Sequence, residues 1–138
     1  MIVSRRFEVL TKGNDDVVDL TPALRKALLE SELSRGTATL FVTGSTAGLT
    51  TIEFEPGLER DLPEALDRLL PPSRQYGHEQ AWHDGNGHSH LQATLLGPSL
   101  AVPIRNGALA LGTWQQIFHL ECDIKPRQRT VVVTVVGE

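Results

Sequence analysis

The run "TVVVTVV", residues 130–136, constrains the fold of this chain more than any other segment. Branching at nearly every Cβ disfavours a helix and favours extended backbone. The run has the length of a strand and falls far short of the roughly 20 apolar residues that a bilayer-crossing helix needs. It reads as a closing strand buried on both faces.

Other segments offer partners for it. "RRFEVLT" alternates apolar and polar residues and predicts a first strand. "TATLFVT" and "LTTIEFE" predict two more, separated by the turn-like "GSTAG". "SLAVPI" and "ALALGT" flank "RNG", where Asn106-Gly107 signals a tight hairpin turn. "WQQIFHLECDI" alternates as a further strand.

Helical spacing takes over in "NDDVVDLTPALRKALLESELSRG", with Thr21 as N-cap, Pro22 at the first helical position and Gly36 as the stop. Leu24, Ala27, Leu28 and Leu33 would form its buried stripe. A second helix is predicted in "LPEALDRLL", capped by Asp61 with Pro63 near its start. The order β-α-β-β-α-loop-β-β-β-β predicts an α+β fold. This is a single-domain sandwich of mainly antiparallel sheet, with two main helices packed on one face.

A chain of 138 residues is long enough to bury a core without disulfides or metal staples. Its formal charge of -4 argues against general nucleic-acid binding, which needs a basic footprint. The single Cys122 lies in an alternating segment and is expected to be a small packing residue. The opening "MIVSRRFEVL" lacks a signal-peptide layout. Together these predict a cytoplasmic protein with neither nucleic-acid nor membrane partners.

Four of the five histidines crowd into "YGHEQAWHDGNGHSH", residues 76–90. On an extended backbone His88 and His90 would share a face, and a loop containing Gly85 and Gly87 would fold His78 back beside them. Three imidazoles with a fourth open position describe a catalytic zinc site, with Asp84 as orienting partner or general base. His83 is the expected bystander, and His119 a packed strand residue.

Ser45 and Thr46, in the turn "TGSTAGLTT", are candidate phosphate contacts, though the segment is no P-loop. Glu53 either lies on a solvated strand face or points into a cleft. Arg105, Arg127 and Arg129 are candidate anion ligands.

The stretch "HSHLQATLLGPSLAVPIRNGALALGTWQQI", residues 88–117, resembles the signature region of the YjbQ-like family. "EFEPGLERDL" and the terminal "VVGE" extend the likeness over nearly the whole chain. The resemblance implies a compact α+β domain that assembles as a homotrimer, with sites at or near subunit boundaries. It also implies a weak, secondary thiamine-phosphate synthase activity, joining a pyrimidine pyrophosphate to a thiazole phosphate. Carried over residue by residue, it points to His78, His90, Glu53 and Arg129, and to Gly112, Thr113, Trp114 and Gln115. Thr113 and Gln115 thereby join the candidate substrate contacts.

Gly44 stands where many members have the histidine of "HTSA", and His88 is read as the substitute imidazole. The resulting expectation is a metal-binding enzyme acting on a small phosphorylated metabolite. Its cofactor is a divalent transition metal such as zinc, with magnesium the alternative beside phosphate oxygens. The competing expectations are a non-catalytic trimeric metal- or metabolite-binding protein and a metal-dependent hydrolase or lyase.

Overall fold

The computed structural model describes all of residues 1–138 and contains eight strands and four helices. In chain order these are β1 (Ile2–Leu10), β2 (Val17–Asp19), α1 (Thr21–Ser31), β3 (Gly36–Thr43), β4 (Ala47–Ile52) and α2 (Pro56–Leu69). There follow α3 (Gly77–Trp82), α4 (Gly87–Leu96), β5 (Ser99–Arg105), β6 (Ala108–Leu109), β7 (Gln116–Glu121) and β8 (Gln128–Gly137). Every strand pairing is antiparallel.

Two sheets form, one of order β1-β8-β3-β5-β6 and one of order β2-β7-β4. The larger core joins Val131, Val133 and Val135 of β8 with Leu40 and Val42 of β3, Leu49 of β4, Ile117 of β7 and Leu24 and Leu28 of α1. A smaller core forms behind β7, where Phe118, Leu120 and Cys122 meet Leu66 of α2 and Ala93 of α4. The three-stranded sheet is therefore a middle layer: together with α1 it packs on the inner face of the five-stranded sheet, and α2 and α4 cover its other face.

Several local predictions change. Val17–Asp19, expected at the start of the first helical segment, instead pairs with β7. The N-cap of α1 is Leu20, because the Thr21 hydroxyl turns inward to accept the Ile117 N–H at 2.8 Å. That helix stops at Glu32 in a left-handed conformation, and Gly36 opens β3. Helix α2 begins at Pro56, earlier than predicted, because the Glu55 carboxylate accepts the N–H groups of Gly57 and Leu58. Pro63 lies inside it. The turn Asn106-Gly107 forms as expected, with φ of 52° and 73°.

The largest difference concerns which strands are covered twice. In β8 only alternate residues from Arg129 to Val135 are buried; Val132 is half-buried and Val136 exposed. Strand β7, which carries His119 and Glu121, is buried on both faces from Ile117 onward. It is the middle strand of the middle layer.

Candidate functional site

The histidine segment is not an extended loop: residues 77–82 and 87–96 are helical. Residues two apart on a helix point about 200° away from each other. His88 is accordingly buried near Tyr76, with ring centroids 6.5 Å apart, while His90 faces a cleft. The imidazole pair predicted on one face does not form, and no three His, Cys, Asp or Glu side chains converge with metal-ligand geometry. His88 also does not line the cleft beside Gly44, so it is no substitute there.

His78 and His90 do meet, with ring centroids 4.4 Å apart. A Cβ on Gly87 would lie 2.7 Å from the Tyr76 Cβ and 3.4 Å from the His78 Cβ, so glycine permits this close approach of α3 to α4. Asp84 closes the arrangement: its Oδ1 lies 3.5 Å from His78 Nε2. Both of these atoms are buried and make no hydrogen bond. The Asp84 segment is held by Glu79, whose carboxylate accepts the Gly85 N–H and pairs with Arg74. Burial first, then the neighbouring His78, pushes the His90 pKa down against the opposing pull of Asp123 and Asp84. Burial likewise lowers that of His88.

The cleft has a volume of about 440 Å³ and one hydrophobic wall residue, Trp82. Its remaining walls come from the β3–β4 turn (Gly44, Ser45, Thr46) and from Asn86, Asp123, Arg127 and Arg129. Glu121 is wholly buried and receives Nε and Nη2 of Arg129. Asp123 Oδ2 receives Nε of Arg127 at 2.9 Å and the Thr46 hydroxyl at 3.0 Å. Burial would raise the Asp123 pKa, but hydrogen bonds from Thr46, the Ile124 N–H and Arg127 outweigh it and hold the carboxyl below its usual value.

Thr46 is thus spoken for. Its oxygen accepts Arg129 Nη2 at 2.7 Å while its one proton goes to Asp123, so it orients the network and has no proton to give a phosphate. Ser45 is exposed in the cleft and keeps its hydroxyl free.

Other candidates lie elsewhere. Glu53 is exposed and lines no part of this cleft. Arg105 is exposed at the end of β5. Thr113 and Gln115 are exposed in the β6–β7 connection, where Gln115 donates to Thr51. His83 caps α3 outside the cleft, and His119 is packed in the core as expected. Sequence reading missed Asn86, Glu121 and Asp123 as parts of the site. A signal existed: Glu121 and Asp123 mirror Arg129 and Arg127 about Lys125, the spacing by which a chain reversal brings opposite charges together.

Comparison with known proteins gives a consistent answer. The family described as UPF0047 protein YjbQ-like matches residues 5–138. A UPF0047 protein of Methanocaldococcus jannaschii is 33% identical over 134 residues, covering 96% of this chain and 94% of that protein. The UPF0047 protein YugU of Bacillus subtilis is 31% identical over 135 residues, covering 96% and 98%. Among solved structures, a YbjQ-like protein of unknown function from Sulfolobus solfataricus superposes with a TM-score of 0.95 at 33% identity, covering 100% of this chain and 99% of that one. A hypothetical protein from Aeropyrum pernix gives 0.92 at 34% identity, covering 99% of each chain.

Proposed function

The chain belongs to the UPF0047 YjbQ-like family, and from that premise we propose that it is an enzyme acting on a small phosphorylated metabolite. One observation carries the reading: a single cleft joins the unpartnered His78–Asp84 pair and His90 to two arginines fixed by buried carboxylates. The volume suits a small metabolite. His78, oriented by Asp84, can take or give a proton, and donors at the arginine end can neutralise an anionic leaving group.

Thiamine-phosphate synthase chemistry is the first reaction to test, because its departing pyrophosphate needs positive charge more than a strong base. Hydrolysis of a phosphorylated compound is the second. It is favoured by the 3.5 Å gap between His78 Nε2 and Asp84 Oδ1, which makes them an imidazole–carboxylate pair of the kind that serves general acid–base chemistry. The same gap is close to the roughly 3.3 Å between two ligands of one tetrahedral ion. A divalent ion there would have only this pair from the chain, the rest of its shell being water or phosphate oxygen, and titration with zinc and magnesium tests that.

A homotrimer is part of the proposal. The outer face of the five-stranded sheet supports it, since Phe41, Val132 and Val136 lie there among Thr37, Thr39, Thr134 and Ala101, with Arg6 and Glu8 of β1 along one side. Assembly would also give Glu53, Thr113 and Gln115, remote from the cleft within one chain, a route to a neighbour's site.

The test is turnover followed by phosphorus NMR, with the pyrimidine pyrophosphate and thiazole phosphate and then with a panel of phosphorylated metabolites. Wild type should convert at least one, and His78→Ala should lose on the order of a hundredfold or more in rate. A folded wild type that converts none would leave a binding protein in place of an enzyme.

A further inference from the structure

Gly44 has an unusual neighbour. A Cβ built at this position would lie 2.7 Å from Arg129 Nη1, closer than real side-chain carbons approach nitrogen. Its φ is not in the left-handed region, so the backbone itself does not demand glycine. The space matters instead.

The guanidinium that fills it cannot readily move. Arg129 is 7% exposed, its Nε and Nη2 are committed to Glu121, and Nη2 also reaches Thr46. Nη1 alone makes no hydrogen bond within the chain, and the residue lines the cleft. Arg127 repeats the arrangement two residues earlier, with Nε and Nη2 on Asp123. Both arginines therefore have their inner edges spent on carboxylates and an Nη1 group left over.

We infer that Gly44 is a specificity-determining residue: its missing side chain admits Arg129 Nη1 to the cleft and creates an oxyanion subsite, shared with Arg127 and the Ser45 hydroxyl, for a phosphate or pyrophosphate group. The inference rests on the proposed reading of the cleft and names the end of it that holds the anion. Asp84, Glu121 and Asp123 outnumber the two arginines by one formal charge, so recognition comes from directed N–H and O–H donors rather than from a net positive field. Asp123 is already saturated by Thr46, Arg127 and the Ile124 N–H, which leaves Asp84 as the carboxylate facing the ligand's non-anionic part. Any side chain at position 44 must push Nη1 aside or unseat the whole guanidinium from Glu121.

The experiment is calorimetric titration of inorganic pyrophosphate into wild type and Gly44→Ala, with thermal denaturation as the control for folding. Wild type should bind, and the variant should bind about tenfold more weakly or worse, the usual effect of losing one charge-assisted hydrogen bond. Should the variant not fold, the Arg129 side-chain N–H signals of wild type are followed by NMR during the same titration, and they should shift. Equal binding by the two proteins, no binding by wild type, or unmoved Arg129 signals would each overturn the subsite. Turnover is not read here, so a protein that binds pyrophosphate through this subsite but converts nothing overturns the enzyme and keeps the subsite.

Discussion

His119 sits in the core with no solvent access, and neither of its ring nitrogens has a hydrogen-bond partner. Burial lowers its pKa to about 4, so the ring is neutral at pH 7. In the unfolded chain the same ring titrates near 6.5. The native state therefore binds fewer protons than the unfolded state between these values. The stability tied to neutral His119 is complete above about pH 6.5 and is lost as the pH falls towards 4, on the order of 3 kcal/mol in all. His119→Leu should flatten the stability profile across that window and raise stability at pH 7 by about 1–3 kcal/mol, as two orphaned polar atoms disappear. Urea denaturation at pH 7 and 4.5 checks both; an unchanged difference between the two pH values would contradict the buried neutral ring. Cys122 is governed by the same physics with the opposite sign. Burial, then Glu121 and Asp15, pushes its thiol up to about 12, so a thiol reagent should label it only after unfolding.

Among the elements, the α3–α4 pair decides the site. Replacing Gly87 by alanine sets a methyl group against Tyr76 and His78 and should push the helices apart. The expected cost is about 1–3 kcal/mol in thermal or urea denaturation, with loss of turnover because His78 leaves His90. That His78, Asp84 and His90 come together was legible in the sequence, because their crowding in one short segment did not depend on its backbone. The membership of His88 was not. That reading assumed a period of two, whereas "HSHLQATLL" folds with the period of a helix and turns His88 inward. The same distinction separates good from poor boundaries elsewhere. The buried stripe Leu24, Ala27 and Leu28 follows from spacing alone, but the start of α2 depends on Glu55 reaching back to two N–H groups, which spacing does not reveal.

Across the whole molecule, the sheet order explains why hydrophobic pattern misjudged β7 and β8. An all-valine run such as Val131–Val133 looks doubly buried, yet one of its faces is the outside of the five-stranded sheet. A strand bearing His119 and Glu121 looks half-exposed, yet Glu121 is matched by Arg129 and Thr11 and can be enclosed. The open face bearing Phe41 and Val132 should be covered in an assembly: wild type is expected to sediment as three chains, and Val132→Lys, which sets a second positive charge beside Arg6 on that face, should shift it towards monomer. A monomeric wild type would contradict the trimer. The proposed function requires that the cleft between His78 and Arg129 hold a phosphorylated metabolite. A crystal structure with a bound thiazole phosphate or pyrophosphate tests it most directly. Phosphate oxygens are expected about 3 Å from Arg129 Nη1, with the rest of an organic ligand extending towards His78 and Asp84. Density for the ligand at another surface, with this cleft holding only water, would contradict it.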